Sequence, residues 1–348
     1  MRIYWLVKGG LLLLVFALVG CSGGSGAKNN NPTPNVLMNP RDTAMERPDP
    51  YVFKDTDGYY YGLHTIKNGP YIPEIRLYKS KSLSNLFATA NSKTIWKPAA
   101  NAWNNKDVWA PELYKFDGTW YIYYSANWRV GVLSCTAADP MTGTWVDVGP
   151  VTSNNKIDGT ILGQYNNRYM LYSQMSNGVQ SIYIQKMKSP TELDSSSTPL
   201  QISKPDYDWE KMRGIDGPLV NEGPQILQKN GKTFCVFSAS FCATEDYCLG
   251  MLSILSNADP MVKENWTKSP SPVFSKGNGL YGVGHCSFTK SPDGTQDWLI
   301  YHGCIIQSST LYQNRYVCMQ PFTWNSDGTP NFGTPQGRLS GIAYPSGE

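Results

Sequence analysis

Three acidic residues stand at similar points of the sequence. Asp49, Asp158 and Glu222 each open a short apolar segment that reads as a β-strand. A single carboxylate at such a point is usually a turn or strand cap, but caps have no reason to recur in one register. Hydrolysis of a glycosidic bond needs two carboxyl groups, one to protonate the leaving oxygen and one to activate water or attack. The three residues therefore predict hydrolysis of a sugar linkage.

The elements that position these residues belong to an internal repeat. A turn such as Asp-Gly or Asn-Gly precedes an aromatic strand five times, and this pattern signals hairpins. A shorter strand before each turn opens with a polar residue. These residues are Asp49, Glu112, Asp158, Glu222 and His285, at intervals of 63, 46, 64 and 63 residues.

Five units of about four strands predict an all-β fold, a five-bladed β-propeller. The first strand of each blade lines the central channel of a propeller, so we expect the five polar residues to meet at one mouth of the channel. Two units also share a closing phrase, Ala-Asp-Pro-Met followed by Trp, at residues 138–145 and 258–266. The alternative, a β-sandwich, does not predict five spaced copies.

Composition supports this fold and narrows the ligand. Aromatic residues reach 13% of the 348 residues and charged residues only 16%, which favours β-structure. The net charge is +3, and Arg2 and Lys8 supply two of these charges. The nearly neutral remainder argues against nucleic acid as a partner and leaves neutral sugars as natural ligands.

The N-terminus predicts a lipoprotein signal peptide over residues 1–21. A basic region is followed by an apolar run too short to span a bilayer, and Leu-Val-Gly-Cys at residues 18–21 looks like a bacterial lipobox. Cys21 would be lipidated and anchor an exported protein to the cell envelope, its only membrane contact. Residues 22–36 predict a flexible tether, and residues 37–345 the catalytic propeller. The alternative is an ordinary signal peptide with a chance cysteine.

Seven further cysteines follow Cys21. An exported chain can form disulfides, and Cys242 and Cys248 flank a short polar loop, so they are the pair we expect. No Cys-x-x-Cys pair occurs, which argues against a zinc site. The odd number leaves at least one free thiol.

Six phrases make the chain similar to glycoside hydrolase family 43 from about Met38 to Gly341. They occur in the family's order, at blade spacing, and are residues 47–52, 109–113, 157–160, 221–224, 284–288 and 320–325. The resemblance implies an inverting mechanism. Asp49 would be the general base that holds a water, Glu222 the general acid, and Asp158 the residue that tunes the pKa of the acid and holds it in place. A neighbouring carboxylate raises the pKa of an acid by repulsion, in agreement with these roles.

The resemblance also implies binding residues. Arg315 matches an arginine that reaches the sugar hydroxyls; the position three residues on, often basic in the family, is Cys318 here. His285 matches a histidine near the channel axis, where we expect a structural Ca²⁺ or Na⁺, because imidazole, carbonyls and waters suit a hard cation. No cofactor is required for the chemistry. Trp109 forms either a wall of the sugar pocket or blade packing, and Glu112 is a supporting partner rather than a catalyst.

The C-terminal phrase at residues 320–333 most resembles exo-acting α-L-arabinofuranosidases. We therefore expect release of arabinose from arabinan or arabinoxylan-type polysaccharide. Endo-arabinanase and β-xylosidase activities of the same family remain alternatives, because one fold serves many glycans. The alternative from another class is a glycan-binding lipoprotein without catalysis.

Overall fold

The computed structural model describes residues 36–164, 166–308 and 313–348. The predicted signal peptide with Cys21, and residues 22–35 of the predicted tether, lie outside these residues. Val36, the last residue of the predicted tether, already lies in a strand. No helix of the described ranges is long and apolar enough to cross a membrane.

Five antiparallel sheets form the body of the protein. In each sheet, the first strand along the chain is the innermost. The first blade contains β2 (Tyr51–Lys54), β3 (Tyr60–Leu63), β4 (Ile75–Ser80) and β5 (Ser92–Trp96). The second contains β6 (Trp109–Phe116), β7 (Thr119–Ala126), β8 (Arg129–Cys135) and β9 (Val146–Pro150). The third contains β10 (Lys156–Gln164), β11 (Asn167–Ser176), β12 (Val179–Ser189), β13 (Glu192–Leu193) and β14 (Leu200–Ser203). The fourth contains β15 (Leu219–Lys229), β16 (Lys232–Ala239), β17 (Cys248–Leu255) and β18 (Thr267–Lys268). The fifth contains β19 (Tyr281–Lys290), β20 (Asp297–Cys304), β21 (Tyr316–Trp324) and β22 (Pro330–Asn331).

The remaining regular elements are short. Strands β1 (Val36–Leu37) and β23 (Ile342–Ala343) pair with each other near the two ends of the described chain. Single turns of 3-10 helix occupy Thr89–Asn91, Asp208–Glu210 and Lys263–Asn265.

The first strands form a closed ring. Each contacts the first strand of the next blade, in the order β2, β6, β10, β15, β19 and back to β2. Blades three and four are also joined by hydrogen bonds, because β12 pairs in parallel with β15 where Gln180 lies opposite Val220. The predicted five-bladed propeller is confirmed.

One hydrophobic cluster fills each of the five interfaces between neighbouring blades. Strand β7 contributes side chains to two of these clusters. Trp120, Ile122 and Tyr124 face the first blade, whereas Tyr123 faces the third. Side chains of a strand alternate between the faces of its sheet, and both faces are covered here. This explains why the middle strands are largely apolar on both faces rather than alternating with polar residues.

The repeated closing phrase forms the same structure in blades two and four. The indole N–H of Trp145 donates to the carbonyl of Pro140 at 2.9 Å, and Trp266 donates to Pro260 at 2.9 Å. The internal repeat of the sequence is therefore a structural repeat.

Candidate active site

One cavity of about 350 Å³ opens where the first strands begin. The structure brings the following predicted site residues together in its lining: Asp49, Trp109, Asp158, Glu222, His285 and Arg315. Ligand sites typically occupy such a volume and combine an apolar wall with a few converging polar groups.

One residue at or just before the first strand of every blade has left-handed backbone angles, with φ of 57° at Asp49, 44° at Ala110, 57° at Asp158, 53° at Gly223 and 45° at His285. In blades two to five this residue lies in a bulge of the strand, whereas Asp49 lies just before β2. Strand pairing shifts at the bulge in blades two to five. Such a bulge bends the strand and redirects its side chains.

We expected from the sequence that the five polar residues occupy equivalent positions in their blades, and the bulges show that two of them do not. Asp49, Asp158 and His285 occupy the same position of their blades, but Glu222 precedes the bulge residue of its blade and Glu112 follows that of its own by two positions. One residue of difference reverses the face to which a strand side chain points. Glu222 therefore reaches the cavity only because the bulge follows it directly.

Glu112 does not line the cavity, so the expectation that all five polar residues meet at the mouth is wrong for this residue. It is buried and accepts hydrogen bonds from Tyr114 at 2.6 Å and from Gln225. Burial raises the pKa of Glu112 to about 8, although these hydrogen bonds oppose the rise. Glu112 thus links blades two and four inside the channel.

Asp49 is buried among donors. Its Oδ2 accepts a hydrogen bond from Thr65 at 2.6 Å, and its Oδ1 lies 3.3 Å from Nη1 of Arg315 and 3.3 Å from Nδ1 of His285. Burial alone would raise the pKa of Asp49, but attraction to His285, whose ring is protonated at low pH, attraction to Arg315 and the hydrogen bond from Thr65 outweigh burial and lower it. Asp49 is therefore ionised at neutral pH.

His285 and His302 are neutral partners of Asp49. Burial lowers the pKa of both rings. Nδ1 of His302 accepts the backbone N–H of Asp49 at 3.2 Å, so it carries no proton and forms no ion pair with the carboxylate 3.6 Å away. Arg315 accordingly supplies the permanent positive charge beside Asp49.

The pKa of Glu222 is raised, whereas that of Asp49 is lowered. Burial raises the pKa of Glu222 to about 7, and repulsion by Asp49 adds to the rise, against hydrogen bonds from Tyr247 and Gln180. Tyr247 donates to Oε1 at 3.0 Å, and Gln180 donates to Oε2 at 2.9 Å. These two donors fix the carboxyl group in one orientation.

Asp158 supports Glu222 through the backbone. Its Oδ2 accepts the N–H of Gly223, the residue after Glu222, at 3.1 Å, and its own N–H donates to Ser125 at 2.9 Å. Burial raises the pKa of Asp158, and repulsion by Glu222 and Asp49 adds to it. Because ionising Asp158 and Glu222 together is costly, this pair retains a proton near neutral pH.

Aromatic rings extend from Arg315 towards the mouth of the cavity. Nη2 of Arg315 donates to the hydroxyl of Tyr71 at 2.8 Å. The ring of Tyr71 lies 5.8 Å from that of Trp109, which in turn meets Trp128 edge-on at 6.1 Å. Trp109 therefore lines the cavity and also packs against two other rings that line it.

Sequence reasoning missed three residues that bind the carboxyl groups, one that binds Arg315 and one further aromatic residue of the cavity. Thr65, Tyr71, Gln180, Tyr247 and Trp128 lie in later strands, turns or loops of their blades. Nothing in the spacing of the first strands signals them. The only available signal was the Asn127-Trp128 pair, which stands where a hairpin turn normally has Asn-Gly.

The expected disulfide is absent. Every cysteine in the described part of the chain is a free thiol. Cys242 lines the cavity, whereas Cys248 is buried at the start of β17, with its thiol towards the carbonyl of Ala239 at 3.8 Å. The loop between them thus directs the two side chains to different environments.

The described residues contain no group of three or more His, Cys, Asp or Glu side chains that could hold a metal ion. A hard cation takes six to eight oxygen ligands. His285, the expected ligand, offers one nitrogen, and its Nδ1 faces Asp49. Protein side chains alone therefore do not form a cation cage here.

One cavity of the five-bladed propeller thus has the buried, ionised Asp49 and the partly buried Glu222 with a raised pKa, the two unlike carboxyl groups that a glycoside hydrolase requires. Residues 43–330 match the model of the family described as glycosyl hydrolases family 43. The chain belongs to this family, as its sequence motifs indicated.

Relatives with stated activities are similar over most of the chain. It is 40% identical to an extracellular exo-α-(1→5)-L-arabinofuranosidase of Streptomyces avermitilis over 87% of this chain and 66% of the relative. It is 34% identical to an enzyme of the same description from Streptomyces chartreusis over 80% of this chain and 85% of that one. The crystal structure of an α-L-arabinofuranosidase from Lactobacillus brevis superposes with a TM-score of 0.78 at 35% identity, over 88% of this chain and 98% of the other. The chain thus spans slightly less than two thirds of the length of the S. avermitilis relative.

Proposed function

We propose that the protein is an exo-acting, inverting α-L-arabinofuranosidase that releases arabinose from arabinan or arabinoxylan-type polysaccharide. The observation that carries the proposal is the pairing of an ionised Asp49 with a Glu222 whose pKa is raised to about 7, in one cavity. The similarity to enzymes described as exo-α-(1→5)-L-arabinofuranosidases supports the choice of sugar.

Asp49 is the general base. Its low pKa keeps it ionised, and Thr65, Arg315 and His285 hold both of its oxygens in place. The carboxylate accepts a proton from the water that attacks the anomeric carbon. Attack from the face opposite the leaving group inverts the configuration at that carbon.

Glu222 is the general acid. A carboxyl group with a pKa near 7 retains its proton in a large fraction of molecules at neutral pH, and it donates that proton to the glycosidic oxygen. Asp158 holds the peptide that follows Glu222, and the two carboxyl groups share a proton near neutral pH because ionising both is costly. Arg315, Trp109 and His285 complete the cavity and contact the sugar to be released.

Purified protein should release arabinose from 4-nitrophenyl α-L-arabinofuranoside and from linear arabinan. The first-formed anomer, followed by NMR, should be β. Mixed oligomers from arabinan would instead indicate an endo enzyme, and a retained α configuration would refute the base role of Asp49. Binding of arabinan without any cleavage would leave only a glycan-binding function.

Export with a lipid anchor at Cys21 is part of the proposal. The description of the S. avermitilis relative as extracellular supports export. Cells that express the chain and are fed an alkynyl fatty acid should label the wild-type protein but not Cys21→Ala. Equal labelling of both proteins would contradict the anchor.

A structural Ca²⁺ or Na⁺ in the channel remains part of the proposal, with His285 and water molecules as its ligands; the chemistry assigned to Asp49 and Glu222 uses no cation. The melting temperature should fall in EDTA and recover with added CaCl₂ if calcium binds. No change in either condition would remove calcium from the proposal.

A further inference from the structure

The turn between β7 and β8 has an unusual residue. Asn127 and Trp128 form this two-residue turn, and both have left-handed backbone angles, with φ of 46° and 60°. The corresponding turn of the third blade joins β11 and β12 with Asn177 and Gly178, at φ of 50° and 76°. Asn-Gly is the sequence that such turns favour. Trp128 therefore occupies a position suited to glycine, and a bulky residue there is strained.

The strain places an indole at the mouth of the cavity. Trp128 lines the cavity, yet it is 39% exposed, so its burial does not explain its presence. Its ring edge meets Trp109, and its carbonyl accepts the backbone N–H of Lys156 at 3.0 Å, which fixes the turn. A strained position that the surrounding structure maintains is a signal of function.

The position of Trp128 indicates its ligand. Asp49 and Arg315 lie at the inner end of the line of rings, where the sugar to be released binds. Trp128 is the exposed residue of the cavity lining, so it stands where the remainder of the substrate would extend into solvent. An exposed aromatic face there suits the apolar face of a second sugar ring.

We propose that Trp128 is the stacking platform for the sugar on the leaving-group side and makes the enzyme prefer oligosaccharides to simple glycosides. This inference rests on the proposed arabinofuranosidase function. The substrate class that it identifies is a chain of at least two sugars.

The test compares α-1,5-linked arabinotriose with methyl α-L-arabinofuranoside, whose leaving group is too small to stack. For Trp128→Gly, the ratio of kcat/KM on arabinotriose to that on the methyl glycoside should fall on the order of tenfold, mainly through KM. Trp128→Tyr should restore most of the ratio. Trp128→Asn is a second variant, because Asn also adopts left-handed angles.

Thermal unfolding measures the strain separately. Trp128→Ala should melt about 2 °C below Trp128→Gly, because alanine is strained at these backbone angles and glycine is not. Gly178→Ala is the matched control. No atom lies within 4 Å of an added Cβ there, so only its backbone angles matter, and we expect a similar fall from wild type without a change in the substrate ratio.

An unchanged substrate ratio in both Trp128→Gly and Trp128→Asn would overturn the platform while leaving the proposed function intact. Wild-type protein that cleaves neither substrate would overturn the proposed function and this inference with it.

Discussion

Removing the hydroxyl of Tyr247 should move the alkaline limb of the pH–activity profile upward. This hydroxyl donates to Glu222 at 3.0 Å and stabilises the ionised form of the acid. Tyr247→Phe keeps the ring, which stacks on His302 at 5.5 Å with planes 5° apart, so the fold around the site should persist. Without the donor, Glu222 holds its proton more tightly and its pKa rises.

The size of the shift follows from the strength of one hydrogen bond. A hydrogen bond to a charged group contributes about 1.5–3 kcal/mol, and 1.36 kcal/mol corresponds to about one pKa unit. We use the lower end of this energy range, because Gln180 continues to donate a hydrogen bond to the other oxygen of Glu222. From a starting pKa of about 7, the alkaline limb should therefore move to about 8.

The assay is kcat/KM on a nitrophenyl α-L-arabinofuranoside across pH 4 to 10 (about half-unit steps), since this profile reports the free enzyme. Thr244→Ser, a change in the same loop, is the control and should not move the limb. An alkaline limb that stays in place or moves downward in Tyr247→Phe would refute the assignment of Glu222 as the acid.

Three further predictions concern the carboxyl groups and the core. Glu222→Gln should lower kcat about 10²- to 10⁴-fold on substrates with poor leaving groups but spare those with very good ones; equal loss on both, measured with methyl and dinitrophenyl glycosides, would remove Glu222 from the acid role. Arg315→Met should raise the pKa of Asp49 towards its ordinary value, so kcat/KM should fall more at pH 4 than at pH 6; a uniform loss would contradict the electrostatic role of Arg315. Trp120→Ala should cost about 3–5 kcal/mol in urea unfolding, because the indole is fully buried between blades one and two; a loss below about 1 kcal/mol would contradict this packing.

The bulge beside Glu222 and its contact with the buried Asp158 link the fold to the chemistry of the site. The bulge that turns Gly223 to left-handed angles presents its N–H to Asp158 and leaves the side chain of Glu222 facing the cavity. The same local distortion therefore fixes the peptide that follows Glu222 and brings the two carboxyl groups close enough for repulsion by Glu222 to raise the pKa of Asp158. Replacing Gly223 would disturb both effects, since an added Cβ there would lie 3.1 Å from the ring of His285.

The sequence alone determined the number of blades, the place of each first strand and the identity of the three carboxyl groups. These features are local, because hairpin turns and alternating side chains repeat along the chain and require no knowledge of distant contacts. The sequence also indicated the family, whose motifs fall in the first strands.

Only the tertiary structure decided how the carboxyl groups differ. The bulges displace Glu112 from the cavity and align Glu222 with it, an offset of one or two residues that spacing along the chain does not resolve. Thr65 and Tyr247 come from later segments of the same blade as the carboxyl group that each contacts, and Gln180 comes from the blade before that of Glu222, so all three meet the carboxyl groups only in the folded chain. The proton affinity of each carboxyl group depends on burial and on these neighbours, so it arises from the assembled ring rather than from any single segment.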